Sequence, residues 1–374
     1  MHITSITPSP RAVSLNWSDG SSQLVPYIWL RDNDPTELHP KTRERTFDLL
    51  SVSLDVKPVE ISCNPTEINL LWPNRLEHSI YSAEWLLSHR VNGSESDPSA
   101  VNRTPWTTKS MLKIPRFSAV LCRDPIYLKS ALVSLKESGL IIINELSDDP
   151  DAGSNFANQI GFKRETNFGV MFDVISKPDP NNLAYTSLAL PLHTDLPNQE
   201  AVPGFQFLHC YVNNSAGGES LFADGLAIAQ QFSITNPEHY SVLAHTDIPW
   251  RFHDQTCDIR HRRPIISLDQ NGQFKSFTFN AHIADVLDLP TSEIYSFYAA
   301  YRALMEVIRR DEFKISYRLM PGEMAVFDNH RVLHGREAFD PASGSRHLRG
   351  YYVEHNEIDS CIRVLTRTLA HGAA

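Results

Sequence analysis

A chain of 374 residues is longer than one ordinary domain and points to a large unit with a smaller companion. Hydrophobic residues at 41%, charged at 21% and aromatic at 10% describe a folded globular protein, which excludes disordered, collagen-like and coiled-coil chains. With 34 Lys and Arg against 44 Asp and Glu, the net charge of −10 has the wrong sign for a general phosphate-backbone binder, so no nucleic-acid partner is expected. No run of about 18 apolar residues occurs, so no membrane partner is expected. The opening MHITSITPSPR lacks the apolar centre of a secretory signal, and a cytoplasmic location is expected. Cys63, Cys122, Cys210, Cys257 and Cys361 are too widely spaced for a metal knuckle and are expected to be reduced.

In chain order, Ala12 to Trp17 and Gln23 to Leu30 read as strands around a Ser18-Asp19-Gly20 turn, and Ser82 to Arg90 as a helix. Residues 1–95 are therefore expected to form a small β-rich domain. The stretch around 96–108 has linker composition, and 109–374 is expected to be the main domain. That part opens with a helix near Ile126 to Glu137 and an apolar strand, Leu140 to Asn144. Many short strand-like runs follow, interrupted by a helix near Pro290 to Arg310. Such spacing favours a mainly β jelly roll over a doubly wound parallel sheet. There is no GxxxxGKS/T, GxGxxG or GxSxG, which removes the usual signatures of nucleotide and serine-hydrolase chemistry.

Two His-x-Asp triplets occur, His193-Thr-Asp195 and His245-Thr-Asp247, where composition alone yields about one. The first ends an apolar strand-like run, and alternate side chains of one strand project to one face. A third ligand is available at His334, after the strand Met324 to Phe327 and a turn. Two His and one carboxylate on one side of a metal leave the opposite positions open, the arrangement of non-heme Fe(II) oxygenases. Arg346, on the run Arg346 to Val353, offers a bidentate guanidinium to an organic acid bound at the iron. His245-Thr-Asp247 has no correspondingly placed arginine and reads as structural.

Together these segments resemble the γ-butyrobetaine and trimethyllysine dioxygenase group of the taurine-dioxygenase-like Fe(II)/2-oxoglutarate oxygenases. The resemblance rests on Trp29-Leu-Arg-Asp-Asn33, Asn181-Asn-Leu-Ala-Tyr-Thr186, Leu192-His-Thr-Asp195, Leu208-His-Cys210, Gly217-Gly-Glu-Ser220, Phe327-Asp-Asn-His-Arg-Val-Leu-His-Gly-Arg336 and Ser345-Arg-His-Leu348. It implies a double-stranded β-helix (jelly roll) with flanking helices behind a small N-terminal domain, and a homodimer. It also implies hydroxylation coupled to consumption of 2-oxoglutarate and O2. His193, Asp195 and His334 match the iron ligands, and Arg346 the arginine that holds 2-oxoglutarate. Ser220 matches a second cosubstrate contact, or reads as a turn hydroxyl after two glycines.

The family's substrates are small trimethylammonium zwitterions. Phe168, Phe172, Tyr185 and Tyr352 match its aromatic cage, although Phe168 and Phe172 also have the spacing of a core pair. Asn182 and Asn280 match amides at the anionic end. There Ala281-His282 departs from the family's second amide and arginine, which leaves a carboxylate (γ-butyrobetaine) and a phosphonate (2-(trimethylamino)ethylphosphonate) both open. Trimethyllysine, a taurine-type sulfonate and a non-catalytic jelly-roll binding protein are the competing readings. Relatives often carry a cysteine-rich zinc site in the small domain. Here Asp34, His39 and His78 stand near it without a cysteine, and no structural zinc is expected.

Overall fold

The computed structural model describes residues 1–89, 97–176 and 183–372. The chain divides into two compact units, Met1–Asp97 and Pro98–Ala374. In the first, β1 (Ile3–Pro8), β2 (Ala12–Trp17) and β3 (Ser22–Pro26) form one antiparallel sheet. The expected strand Gln23 to Leu30 is cut short, because Pro26 fixes φ at −64° and caps α1 (Tyr27–Asp32). After a gap, β4 (Glu60–Asn64), β5 (Glu67–Leu71) and β6 (Ser79–Ser82) form a second sheet. The Ser82 hydroxyl then accepts from Trp85 N and starts α2 (Ala83–Ser88). Alternate residues of these strands, Val13, Leu15, Trp17, Ile68 and Leu70 among them, meet Tyr27, Leu30 and Trp72 in one buried core.

Asp34, His39 and His78 do not converge in this unit. The Asp34 carboxylate accepts from Ser79 Oγ and from Thr36 N and Oγ. His39 Nδ1 accepts from Thr42 N, and His78 lies against Glu60.

The second unit runs β7 (Arg116–Ser118), α3 (Pro125–Ser138), β8 (Leu140–Asn144), α4 (Ala152–Asn158), β9 (Lys163–Arg164) and β10 (Phe172–Val174). Then come β11 (Leu190–His193), β12 (Phe205–Asn213), β13 (Ala216–Gly217), β14 (Ser220–Asp224), α5 (Gly225–Thr235) and α6 (Pro237–His245). A hairpin β15 (Ile248–His253) and β16 (Asp258–Arg263), a second hairpin β17 (Ile266–Leu268) and β18 (Phe274–Phe277), and α7 (Thr291–Ile308) follow. The chain closes with β19 (Ile315–Tyr317), β20 (Met324–Asp328), β21 (Val332–Arg336), β22 (Phe339–Asp340), β23 (Arg346–Val353) and α8 (His355–Gly372).

A seven-stranded sheet, β10-β23-β12-β20-β8-β7 with β9 on β23, and a four-stranded sheet, β11-β21-β14-β19, make the double-stranded β-helix. Between them Leu140, Ile142, Leu208, Phe327 and Leu348 of the larger sheet meet Phe222 and Val332 of the smaller. The period of two sends Ile141, Ile143, Phe207 and Val326 to the outer face of the larger sheet, under α3 and α8. Leu221, Ala223 and Leu333 face the other way, into the layer of α5, α6 and α7.

The segment expected as a linker, 96–108, joins this unit from Pro98 onward. Trp106 is buried, its backbone N donating to Asp224 (2.9 Å) and its indole to Ser138 O (2.7 Å). Asp224 also receives Arg331 Nε and Nη2, each at 2.8 Å, with both side chains fully buried. Composition reads as a linker here because only one large apolar residue anchors the stretch.

Candidate metal and cosubstrate site

β11 pairs with β21 in a register that sets His193 directly opposite His334, with ring centroids 4.3 Å apart. Asp195 lies two residues beyond the end of β11, so strand alternation, the sequence expectation, is not what places it. Two side-chain clamps do. Asn329 accepts from Asp195 N (2.6 Å) and donates to Asp195 O (3.1 Å) and Pro203 O (3.0 Å). Thr194 is tied to Phe279, N to O at 2.7 Å and Oγ1 from N at 2.9 Å, and its carbonyl accepts from Asn280 Nδ2 (3.3 Å).

The result brings Asp195 Oδ1 to 3.4 Å from His193 Nε2 and 3.6 Å from His334 Nε2. Among the described residues, these three are the one set of His, Cys, Asp and Glu whose ligand atoms all lie within 4.8 Å of one another. His245 and Asp247 take no part, and His245 Nδ1 bonds Ser241 O at the exposed end of α6.

Protonation favours a metal. His193 Nδ1 lies 2.9 Å from Pro191 O, which can only accept, so Nδ1 donates there and Nε2 is the ring nitrogen turned to Asp195. Burial pulls His334 down to about 3, leaving it neutral near pH 7. Burial works to raise Asp195, but His334, then His193 and the Tyr352 hydroxyl (2.7 Å to Oδ2) outweigh it and hold the carboxyl well below its usual range. Two imidazoles and one carboxylate fit Fe(II) with open positions left over.

This triad lines a cavity of about 350 Å³. Arg346 and Ser220, the expected 2-oxoglutarate contacts, are in its wall and buried. Arg346 Nε donates to Gly218 O (3.2 Å), and no carboxylate among the described residues pairs with it. Burial, then the neighbouring Arg336, lowers its pKa from 12.5 to about 10, so it remains a cation in need of an anion. Gly217 and Gly218 adopt φ of 78° and 79°, and a Cβ on Gly218 would stand 3.1 Å from Arg346 Cδ, so the glycine pair leaves room for this side chain. Arg336 plays a different part, donating to the carbonyls of Ala184, Thr186 and Leu188 and so pinning the segment that bears Tyr185.

Phe168, Phe172, Tyr185 and Tyr352 all line the cavity. Phe172 packs 5.5 Å from Tyr352 and 6.4 Å from Phe168, crossing Gly350, where a Cβ would come within 2.4 Å of its ring. Phe252, which sequence reasoning missed, completes the wall with its ring 5.2 Å from Phe168. Asn280 also lines the cavity, but its amide is engaged at both ends, Nδ2 with Thr194 O and Oδ1 with His282 N. It holds the metal loop in place, and the ring of His282 lies in the wall beside it. Asn182 lies outside the described residues.

Two histidines on paired strands and a carboxylate just beyond one of them, with a buried arginine in the same cavity of a double-stranded β-helix, define an iron- and 2-oxo-acid-dependent oxygenase. Residues 121–352 match the family described as taurine catabolism dioxygenase TauD, TfdA, and residues 5–87 match the γ-butyrobetaine hydroxylase-like N-terminal family. The chain belongs to the TauD/TfdA family and is a 2-oxoglutarate-dependent dioxygenase with Fe(II) as its metal. It is 36% identical to a γ-butyrobetaine dioxygenase of Pseudomonas sp. (strain AK-1), over 95% of this chain and 94% of that one. Identity to the human γ-butyrobetaine dioxygenase is 30%, covering 95% of each. An asparagine oxygenase solved with Fe(II), 3-hydroxyasparagine and succinate shares the fold, at a TM-score of 0.50 and 18% identity over 62% of this chain and 80% of that one. No helix among the described residues is long and apolar enough to cross a membrane.

Proposed function

We propose that the protein hydroxylates an unactivated carbon of a small trimethylammonium zwitterion, γ-butyrobetaine or its phosphonate analogue 2-(trimethylamino)ethylphosphonate. The observation that carries this reading is the aromatic wall of Phe168, Phe172, Tyr185, Phe252 and Tyr352 beside the triad. A quaternary ammonium donates no hydrogen bond, so ring faces are what can recognise it, at about 0.5–2 kcal/mol for each desolvated contact. A primary amine such as that of taurine wants acceptors, which this wall scarcely offers. The similarity to γ-butyrobetaine dioxygenases supports the same substrate class.

His193, Asp195 and His334 would hold the iron, and Arg346 with Ser220 the distal carboxylate of 2-oxoglutarate. Iron bound there supplies the oxidative decarboxylation of 2-oxoglutarate by O2 to succinate and CO2, coupled to hydroxylation of the substrate. The residues of this chain contribute orientation: the rings fix the cationic end, Arg346 fixes the cosubstrate, and the apolar walls exclude water. At the anionic end, Asn280 has its amide committed to backbone, which favours donors from His282 and from Asn182.

A homodimer in the cytoplasm, with no nucleic-acid or membrane partner, fits the five free cysteines, the net charge of −10 and the likeness to the family.

Succinate formation with Fe(II) and 2-oxoglutarate over a panel of γ-butyrobetaine, trimethyllysine, 2-(trimethylamino)ethylphosphonate and taurine tests this function. Turnover is expected with the short trimethylammonium zwitterions and lost in His193→Ala and Asp195→Ala, while His245→Ala stays near wild type. A preference for taurine would overturn the substrate class, and loss of turnover in His245→Ala alone would overturn the choice of triplet.

A further inference from the structure

Gly350 sits inside β23 on the face that looks into the cavity, between Leu348 and Tyr352, which line it. Glycine weakens a strand interior, and φ at Gly350 lies outside the left-handed range, so the backbone does not call for it. A neighbouring side chain does. In the register of the edge strand β10, Phe172 stands directly opposite Gly350, and its ring lies over the place that a side chain of residue 350 would fill. A Cβ there would press into Cζ and Cε2 of that ring and stand 3.1 Å from Cε1, whereas carbon atoms in contact settle at about 3.5–4.0 Å.

The surroundings of the ring say which way it would give. Its strand is held, because the Asp173 carboxylate accepts from Arg349 Nε at 2.8 Å and lies 2.9 Å from His347 Nε2. Tyr352 flanks the ring at 5.5 Å and Phe168 at 6.4 Å, and the sheet lies beneath it. The side that remains is the cavity, whose wall the ring forms. A methyl group at 350 would therefore drive the ring inward by on the order of 1 Å, toward Tyr185 and Phe252. Seated on Gly350, the ring leaves that space open.

We propose that Gly350 is a positioning residue that sets the size of the ammonium head the cavity accepts: its missing Cβ lets Phe172 lie against the sheet, and the depth so gained accommodates a fully methylated nitrogen. The inference rests on the trimethylammonium reading of the cavity and names the pair of residues that enforces it. Leucine at 172 has no counterpart of Cζ, Cε1 or Cε2, the atoms that a Cβ at 350 would meet, so the effect of that Cβ depends on the ring being present.

Succinate formation by wild type, Gly350→Ala, Phe172→Leu and the double variant tests the proposal, with γ-butyrobetaine and 2-(trimethylamino)ethylphosphonate each set beside its dimethylamino counterpart. Gly350→Ala should raise the KM for the trimethylammonium compound about tenfold, with kcat falling by less than about threefold. Its preference, as kcat/KM, should shift about fivefold toward the dimethylamino compound, a change of selectivity that general loosening of the strand would not give. In the Phe172→Leu background the same Gly350→Ala change should alter KM by less than about twofold. An equal penalty with and without the ring, or a wild-type KM in Gly350→Ala, overturns the inference and leaves the substrate class standing. If Gly350→Ala alone does not fold, recovery of a folded enzyme in the double variant supports the inference and failure to recover overturns it. Absence of turnover of both trimethylammonium compounds by the wild type overturns the substrate reading and this inference together.

Discussion

Asn329 grips the backbone of Asp195 from both sides, accepting from its N–H at 2.6 Å and donating to its carbonyl at 3.1 Å. Asp195 is beyond the last residue of its strand, so this clamp takes the place of a ladder hydrogen bond in aiming the carboxylate. Partners of this kind tune metal affinity by orienting the ligand, and their removal commonly costs about 10–100-fold. Asn329→Ala is expected to weaken Mn(II) binding, measured by calorimetry, by about that factor, with a stability loss of about 1–3 kcal/mol from the buried groups left unpaired. Metal affinity within twofold of wild type would show that Asp195 is aimed by other means.

On the proposed reading, Phe172 and Tyr185 would serve recognition of the cation and not the chemistry. Neither is a metal-binding side chain, and both line the cavity. Tyr185→Leu and Phe172→Leu remove a ring face but keep an apolar group. Each should raise the KM for the trimethylammonium substrate by about 3–30-fold, the equivalent of roughly 0.5–2 kcal/mol, with a smaller change in kcat. An unchanged KM in Tyr185→Leu would remove that ring from the cage.

The sequence is most legible where periodicity and function coincide. Leu140 to Asn144 and Arg346 to Val353 emerge with their expected bounds, because each is an apolar or alternating run closed by polar residues. His193, Asp195 and His334 are readable as a set because metal chemistry restricts which residue types suffice, although Asp195 reaches its place by a clamp from a distant turn. Phe252 was not readable: Trp250-Arg-Phe252 is ordinary strand alternation, and nothing in its spacing tells which ring borders a cavity. Asn280 was legible as an amide of the site but not in its use, since residue identity does not say that both ends of an amide are spoken for.

His355 and Asp328 predict a pH dependence of stability that is separate from catalysis. His355 Nε2 lies 2.9 Å from Asp328 Oδ1, in a pocket that also holds the rings of His330 and Phe205 and is bordered by Glu354 and Asp359. Burial alone would lower His355, but Asp328 outweighs it and the net pKa is raised above 6.5. Burial alone would raise Asp328, but His355 and then His330 hold it below its ordinary range. The histidine's contribution is complete below about pH 6.5 and is lost as pH climbs through its raised value; the carboxylate's is complete above about pH 4 and is lost as pH falls through its depressed one. Stability is therefore expected to fall as pH rises above about 6.5 and through the raised value, read as a falling melting temperature, with a slope from this one proton of at most about 1.4 kcal/mol per pH unit. His355→Gln should flatten that part of the profile, and an equal slope in the variant would assign the loss to other groups.

Arg331 and Asp224 form a fully buried ion pair of the second unit, and their other bonds show what it organises. Beyond Asp224, Arg331 donates to the carbonyls of Glu137 and Thr104, while Asp224 accepts from Trp106 N and, at the start of α5, from Leu226 N. One guanidinium thus joins the segment before β7, the end of α3 and the beginning of α5 to the turn between β20 and β21, three residues before His334. Removing one partner strands the other charge in the interior, which costs about 3–5 kcal/mol, whereas replacing both with apolar residues of matching volume is often close to neutral. Arg331→Met is expected to lower stability by that amount in urea unfolding, and Arg331→Met with Asp224→Leu to recover part of it. If the double variant were as unstable as the sum of the two single ones, the pair would be acting through its separate backbone bonds, and the coupling between these two charges would be negligible.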